Sequence, residues 1–280
     1  MHIERSACAA GGPTLQRKAS CMLLRHDRLS SDALRELATG KVLALHVPEY
    51  HAPDLCTEIV ERILDGMGKG YRRIYESNVR AFTETRGDAE ARRAYLATAI
   101  EVMAEIRRSC HPLASPMDRL RCELDELWPG GACLLRLEEN ALVFGMVRVW
   151  RGGAQAHPHL DVLRESAPDV RDAAGFTEQL GVNIYLRMPA QEHDSEGVLE
   201  LWDFGLMDEA VIGRSSWGTY GYRRETLPTP TIRIRPAVGD LIILRTTRLH
   251  AVQPTCDGER ITLSGFIGCS GTDEPLRLWS

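Results

Sequence analysis

The sequence lacks several features that mark whole classes of protein. Its eight cysteines include no Cys-x-x-Cys pair, which argues against a structural zinc site. No apolar run approaches the roughly 20 residues of a membrane span. The N-terminal residues also contain no uninterrupted apolar stretch of the kind found in secretory signals. Internal repeats and low-complexity tracts are absent as well. These absences predict a soluble, cytoplasmic protein with free thiols.

The charge balance shows no excess of positive charge. The formal net charge is −5, so a nucleic-acid-binding surface is not expected, and neither is a membrane partner. With 44% hydrophobic and 26% charged residues, the composition is that of an ordinary globular protein that can bury a substantial core. The expected partner is a small-molecule substrate, and a homodimer is compatible with the sequence.

Hydrophobic patterning divides the chain into parts of different character. Residues 1–25 are small and polar and predict a flexible extension. Residues 26–128 are mainly helical in pattern, as in SSDALREL, where a Ser cap precedes an apolar face. Residues 129–280 contain short runs rich in Val, Ile and Leu, such as ALVFGMVRVW and DLIILRT, separated by turns. The expected fold is α+β, a jelly-roll core with an N-terminal helical layer in a single domain over residues 26–280.

The segment AHPHLDVL, residues 156–163, follows one of these strand-like runs. Side chains two positions apart in an extended segment point to the same side, so His159 and Asp161 converge. His157 shares that side, but Pro158 disturbs the geometry and a fourth protein ligand would crowd a metal. We therefore interpret His157 as a structural or supporting residue. A lone His-x-Asp is more often a polar surface turn, so the pair needs a third ligand to indicate a metal site.

A third ligand is available at the end of the strand-like run DLIILRT. His250 lies there, far along the chain from His159. Two histidines and one carboxylate on one face of a metal form the facial triad of non-haem Fe(II) oxygenases. Such a triad leaves coordination positions open for a chelating cosubstrate and O₂, whereas structural metal sites are closed. His159, Asp161 and His250 are therefore predicted to hold Fe(II).

Arg260 follows on the next strand, with Thr262, Ser264 and Phe266 on the same face. An arginine fork binds a carboxylate in bidentate fashion, and a nearby hydroxyl adds a hydrogen bond. Arg260 and Thr262 are therefore predicted to hold the far carboxylate of a dicarboxylate such as 2-oxoglutarate. The alternative is a surface arginine paired with Glu259 or Asp257.

This combination resembles the Fe(II)/2-oxoglutarate-dependent dioxygenases. The matching pattern is His-x-Asp, a distant His and Arg-x-Thr, supported by VRVWRGG…HPHLD, EGVLELWD, GDLIIL…H and LWS over roughly residues 40 to 280. Within that superfamily the chain is most similar to the bacterial N-substituted L-amino acid hydroxylases of the N-succinyl-leucine type and the free-standing indole-alkaloid halogenases. The resemblance implies a double-stranded β-helix (jelly-roll or cupin-like) core, Fe(II), and 2-oxoglutarate and O₂ as cosubstrates.

One position separates the two branches of that group. The resemblance implies that halogenases carry a glycine in place of the metal-binding carboxylate, so that chloride binds the metal. Here the position is Asp161. Hydroxylation is therefore expected in preference to halogenation.

Further polar residues were considered for the cosubstrate and the substrate. Arg148 lies on a strand before His159 and, if it faces inward, meets a cosubstrate or substrate carboxylate; a surface position is equally compatible with the pattern. Asn183 and Tyr185 alternate with apolar residues and form a polar strand face, although Tyr185 also suits a core position.

Other candidates come from loops. The resemblance implies that lid arginines hold an acidic substrate, which makes Arg80, Arg86 and Arg164 candidates, although for each one alone a solvated loop residue is the simpler interpretation. His193, Asp194 and Glu196 are interpreted as an exposed turn between strands.

The leading hypothesis is an Fe(II)- and 2-oxoglutarate-dependent hydroxylase. Its expected substrate is a small acidic molecule, an N-substituted or free aliphatic L-amino acid. One alternative is a tailoring oxygenase acting on an alkaloid or peptide natural product. The other, from a different class, is a cupin-like metal-binding protein without redox chemistry, which would have no need of a dicarboxylate clamp at Arg260.

Overall fold

Helices dominate the first half of the chain. The computed structural model describes residues 22–66, 81–137, 139–189, 196–205, 221–256 and 258–280. Its longer helices are α1 (Ser31–Ala38), α2 (Pro53–Gly66), α3 (Ala89–Cys110) and α4 (Pro116–Leu127). Ser30 caps α1 as the sequence predicts, because its hydroxyl accepts a hydrogen bond from the backbone N–H of Ala33 at 3.3 Å. A short 3₁₀ helix, Phe82–Thr85, precedes α3.

Strands form most of the second half, with two short helices between them. The strands are β1 (Leu23–Arg25), β2 (Ala44–Val47), β3 (Ala132–Leu134), β4 (Arg136–Leu137), β5 (Asn140–Ala141), β6 (Met146–Arg151), β7 (Ala154–His159), β8 (Glu178–Arg187), β9 (Leu199–Gly205), β10 (Ile232–Ile234), β11 (Leu241–Arg245), β12 (Arg248–Thr255), β13 (Glu259–Cys269) and β14 (Leu276–Trp279). The two short helices are α5 (Leu163–Ser166) and α6 (Arg171–Ala174), and a 3₁₀ turn covers Arg224–Thr226.

Two sheets carry the site. Over the described residues, the major sheet has eight strands. Seven follow the order β1-β2-β11-β8-β13-β14-β3, and the eighth, β6, pairs with the N-terminal half of β13. The minor sheet has the order β10-β9-β12-β7. Most neighbours are antiparallel, so hairpins and crossovers bring residues from distant parts of the sequence onto the same face.

Alternation along β13 shows how the sheets are packed. Ile261 and Leu263 belong to the large apolar core that also contains Ile59 of α2, while the intervening side chains face the other side of the sheet. α2 packs against β8, and α3 packs against α2. A second apolar cluster, which includes Tyr185 of β8 and Leu201 of β9, lies between the two sheets. The major sheet is therefore covered on both faces, and its inner face looks toward the minor sheet.

One boundary differs from the sequence-based expectation. Leu23–Arg25 are not part of a flexible extension, because they pair in parallel with β2; residues 1–21 lie outside the described residues. The mainly helical first half also contributes β2, which pairs with β11 inside the major sheet. A pairing between two strands so far apart in the chain is hard to assign from local sequence patterns. No helix in the described ranges has both the length and the apolar character needed to cross a membrane.

Candidate active site

Two neighbouring strands of the minor sheet bring two histidines together. β7 and β12 are antiparallel, and His159 pairs directly with His250 in their register. Both side chains are buried, at 8% and 6% exposure, and their ring centroids lie 4.2 Å apart. The pairing explains why residues so far apart in sequence share one site, since cross-strand neighbours on one face are in contact.

Asp161 completes the cluster just after β7 ends. Its backbone N–H donates to the carbonyl of Thr246 at 2.9 Å, which fixes the chain next to the major sheet. Its Oδ2 lies 3.5 Å from Nε2 of His159 and 3.4 Å from Nε2 of His250. One ligand atom from each of the three residues lies within 4.8 Å of the others. The His-x-Asp pair and the distant histidine are thus brought together as the sequence predicts.

The backbone sets the orientation of both imidazole rings. Nδ1 of His159 lies 2.7 Å from the carbonyl oxygen of His157, and Nδ1 of His250 lies 3.0 Å from that of Arg248. A carbonyl oxygen only accepts, so each Nδ1 donates its proton. In the neutral rings each Nε2 therefore keeps its lone pair, which is the form of imidazole that binds a metal. His157 supports the cluster through its backbone carbonyl, which accepts from Nδ1 of His159.

Electrostatics make the cluster a suitable set of metal donors. Burial alone would raise the pKa of Asp161, but the facing histidine rings outweigh burial and hold the pKa of this carboxyl well below its usual range. For His159 burial acts to lower the pKa, yet the charge of Asp161 overcomes it and the pKa is raised. Burial lowers the pKa of His250, and the neighbouring His159 lowers it further. Asp161 is therefore ionised at neutral pH, and the cluster combines one anion with two imidazoles.

A cavity of about 400 Å³ opens onto the cluster. Its wall includes the described residues Ala81, Thr83, Glu84, Arg148, Trp150, Ala156, His159, Asp161, Gly181, Val182, Asn183, Leu199, Leu244, Thr246, His250, Val252, Arg260, Thr262, Ser264, Gly265, Phe266 and Ser280. We call the metal cluster with Arg260 and Thr262 the inner cavity. We call Thr83, Glu84 and Arg148 the mouth, and of these Glu84 is exposed.

Arg260 is the unusual residue of the inner cavity. It is 3% exposed, yet its Nε and Nη1 have no hydrogen-bond partner among the described residues. Its guanidinium carbon lies 5.1 Å from the ring centroid of Trp150 and 5.2 Å from that of Tyr185, so two aromatic rings flank it. Glu259, the alternative partner, instead pairs with Arg187 at 2.8 Å and Arg151 at 2.6 Å. A buried guanidinium without an acceptor is costly, and a carboxylate ligand would satisfy it.

Hydroxyl and amide groups extend the polar wall from Arg260. The Thr262 and Ser264 hydroxyls are 3.0 Å apart, and Ser264 donates to the amide oxygen of Asn183 at 2.8 Å. β8 and β13 place these groups side by side, since Asn183 pairs with Ser264 and Tyr185 with Thr262 in their register. Tyr185 lies behind the wall rather than on it, and its buried hydroxyl has no hydrogen-bond partner within the described chain.

Two of the three loop arginines predicted to hold an acidic substrate do not line the described cavity. Arg86 is exposed and is not part of the cavity wall. Arg164 lines a separate cavity that also contains Arg245 and Arg248. Arg80 lies outside the described residues. A substrate-binding role for any of the three therefore stays a prediction.

The predicted turn between strands is only partly described. His193 and Asp194 lie outside the described residues. Glu196 accepts a hydrogen bond from the backbone N–H of Cys256 at 2.9 Å and takes no part in the metal cluster.

Trp150 and Glu84 are among the wall residues that the sequence analysis does not predict. Trp150 lies two positions after Arg148 on β6, so the same alternation that brings Arg148 inward also predicts an inward Trp150. Glu84 reaches the mouth from the 3₁₀ helix before α3. Its place depends on how that helix packs, and no local pattern indicates it.

Comparison with solved structures identifies the fold. No protein-family model and no curated protein matches the sequence. A structure of an N-substituted L-amino acid dioxygenase from Burkholderia ambifaria matches with a TM-score of 0.55 at 16% identity, covering 89% of this chain and 91% of that chain. A structure of an N-substituted L-amino acid dioxygenase from the same organism in complex with alpha-KG (2-oxoglutarate) matches with a TM-score of 0.56, at the same identity and coverage. The chain thus shares the fold of these two solved structures.

Proposed function

We propose that this protein is an Fe(II)- and 2-oxoglutarate-dependent dioxygenase that hydroxylates an unactivated C–H bond of a small molecule. The observation that carries the proposal is the coexistence, in one cavity, of the His159–Asp161–His250 cluster and the buried Arg260, two of whose nitrogens have no hydrogen-bond partner among the described residues. Three ligands on one face suit an iron that must keep coordination positions open. A non-redox metal-binding protein would not require the carboxylate-binding group as well.

Each residue of the inner cavity then has a distinct role. His159, Asp161 and His250 hold the metal, with both Nδ1–H groups anchored on backbone carbonyls so that the rings cannot turn away. Arg260 binds the distal carboxylate of 2-oxoglutarate, and the Thr262 hydroxyl adds a hydrogen bond. When bound, Fe(II) couples the oxidative decarboxylation of 2-oxoglutarate by O₂ to the insertion of one oxygen atom into a substrate C–H bond, leaving succinate and CO₂.

Hydroxylation rather than halogenation is favoured by the carboxylate. Asp161 is ionised and within 3.5 Å of both histidine rings, so it fills the position that a halide would need. The substrate that we propose is an N-substituted or free aliphatic L-amino acid, in keeping with the resemblance and with the name of the matched dioxygenase. An alkaloid or peptide substrate is the alternative for the same chemistry.

The deciding experiment has two stages. Anaerobic addition of Fe(II) and 2-oxoglutarate should produce the visible charge-transfer absorption of an iron-chelated 2-oxo acid, and this absorption should be missing without either component. Succinate release is then measured in air against a panel of free and N-acylated amino acids. A protein that binds neither iron nor 2-oxoglutarate would overturn the proposed function.

A further inference from the structure

The charges around the cavity are balanced. Among the described residues, four charged side chains line it: Asp161 and Arg260 in the inner cavity, and Glu84 and Arg148 at the mouth. Two are anions and two are cations, so their charges cancel. Fe(II) and the dianion 2-oxoglutarate, which the proposed function adds to the inner cavity, also cancel. The described wall therefore offers no surplus positive charge to a substrate with a net negative charge.

Glu84 presents a carboxylate whose position is fixed by the backbone. Its Oε2 accepts a hydrogen bond from the backbone N–H of Ala81 at 3.3 Å, across the turn of the 3₁₀ helix. Its Oε1 faces Arg148, and the side chain is 54% exposed. A carboxylate has about four acceptor positions, so Glu84 can still accept hydrogen bonds from a cation that arrives from solvent.

Arg148 faces Glu84 from the strand on the other side of the mouth. It pairs with Thr262 in the β6–β13 register, which places it next to the cosubstrate wall. Its Nη1 lies 3.9 Å from Oε1 of Glu84, a separation that allows charge attraction but is too long for a hydrogen bond. The two groups are thus aligned as an ion pair, yet neither is fully satisfied by the other.

We propose that Glu84 and Arg148 together recognise a zwitterion, so that the substrate is a free aliphatic L-amino acid. Its carboxylate binds Arg148 and its ammonium group binds Glu84. The apolar side chain then lies toward Leu199, Leu244 and Val252, which line the same cavity. This inference rests on the proposed function and names its substrate class.

An N-acylated amino acid suits this mouth less well. Acylation removes the ammonium charge that Glu84 would bind, and an N-succinyl group adds a second carboxylate, which Glu84 would repel. Of the three arginines that could compensate such a dianion, Arg86 and Arg164 do not line the described cavity, and Arg80 lies outside the described residues. The charge pattern therefore favours a free amino acid over its N-succinyl derivative.

Four compounds that share the isobutyl group of leucine separate the two charged contacts. The enzyme loaded with Fe(II) and 2-oxoglutarate is titrated without oxygen by calorimetry. The ligands are L-leucine, N-succinyl-L-leucine, isoamylamine, which lacks the carboxylate, and 4-methylpentanoate, which lacks the ammonium group. We expect L-leucine to bind about tenfold more tightly than each of the others, because each of them loses one charged contact. Succinate release in air is measured in parallel.

Matched variants assign the contacts to the two residues. Glu84→Gln should weaken the binding of L-leucine about tenfold, while the affinity for 4-methylpentanoate stays nearly unchanged. Arg148→Gln should weaken the binding of L-leucine and of 4-methylpentanoate, while the affinity for isoamylamine stays nearly unchanged. Arg151→Gln is the control, because Arg151 lies on the same strand but pairs with Glu259 and is not part of the cavity wall. Its effect on L-leucine should stay within about twofold.

The outcomes that fail the inference differ from those that fail the proposed function. N-succinyl-L-leucine could bind more tightly than L-leucine, with a ratio of the two affinities that Glu84→Gln leaves unchanged. That result would overturn the proposed recognition of a zwitterion, while succinate release would still support the dioxygenase. The absence of binding by all four compounds to an enzyme that binds iron and 2-oxoglutarate would also overturn it. Loss of the 2-oxoglutarate-dependent absorption would remove the proposed function and, with it, this inference.

Discussion

The inner cavity and the mouth are built in different ways. His159, His250 and Arg260 lie on strands, are buried, and are oriented by backbone carbonyls or by flanking aromatic rings. Glu84 and Arg148 come from a 3₁₀ helix and from β6, and they are 54% and 32% exposed. Under the two proposals, the inner cavity carries the groups that define the reaction, and the mouth carries the groups that contact the substrate. Chemistry and specificity should therefore respond separately to mutation.

The largest effect should come from removing a histidine of the cluster. His250→Ala or His159→Ala should lose iron and reduce succinate release to background, with the fold retained, because the surrounding strands are held by their own ladders and apolar core. Iron content and circular dichroism check this. His157→Ala is the control, since it removes the ring but keeps the backbone carbonyl that accepts from Nδ1 of His159. Full turnover by His250→Ala would show that the ligand is another residue.

Replacing the carboxylate should change the outcome of the reaction as well as its rate. Asp161→Gly removes a negative charge and opens a coordination position, so iron should bind more weakly and most hydroxylation should be lost. Product mass spectra in high chloride check for a trace of halogenated product. The wild-type protein should give hydroxylated product alone. A chlorinated product from the wild type would contradict the role of Asp161 as a metal ligand.

Arg260→Ala should weaken the binding of 2-oxoglutarate in particular. Removing one partner of a buried charge pair costs on the order of 2 to 5 kcal/mol, which corresponds to at least about a 30-fold rise in KM for 2-oxoglutarate. The KM for the organic substrate should change much less. Steady-state kinetics with each component varied in turn measures both. An unchanged KM for 2-oxoglutarate would move the carboxylate-binding role to Arg148.

Trp150→Leu should have a smaller effect, because it removes only the ring that flanks the guanidinium of Arg260. The ring flanks the guanidinium at 5.1 Å, and a cation–π contact contributes about 0.5 to 2 kcal/mol. We expect the KM for 2-oxoglutarate to rise by about two- to 30-fold, with kcat changed less than KM. If kcat falls while this KM stays constant, Trp150 contacts the substrate rather than supporting Arg260.

The smallest effects should come from the loop arginines outside the cavity. Arg86→Gln and Arg164→Gln should each change the KM for substrate by less than about twofold, as expected for exposed charges. These variants sharpen the contrast with Arg148→Gln, which removes a charge from the mouth itself. A large loss of substrate binding in Arg164→Gln would show that the cavity it lines also receives the substrate.

Short-range alternation explains why so much of the inner cavity was predictable. The period of two places His159 and Asp161 together and puts Arg260, Thr262 and Ser264 on one face of β13, as the structure has them. The direct pairing of His250 with His159 depends on the register of two strands far apart in sequence, which no local pattern encodes. It was inferred only because the triad requires a third ligand.

The mouth was less predictable because it depends on packing. Glu84 was not predicted, and Arg86, two residues later, was placed at the site from the resemblance alone. Around a helical turn, residues two apart point in different directions, so only one of the two faces the cavity. The place of β2 beside β11 likewise follows from tertiary contacts between distant segments.

The two unpartnered nitrogens of Arg260 bear on the folding equilibrium. Under the proposed function, the protein without 2-oxoglutarate keeps a buried charge with unmade hydrogen bonds, whereas the bound protein does not. A ligand that binds only the native state adds about 2.7 kcal/mol to the free energy of unfolding at a concentration one hundred times its Kd. The melting temperature should therefore rise with the 2-oxoglutarate concentration. In a cell, the lifetime of this protein against unfolding and proteolysis would then follow the supply of a central metabolite.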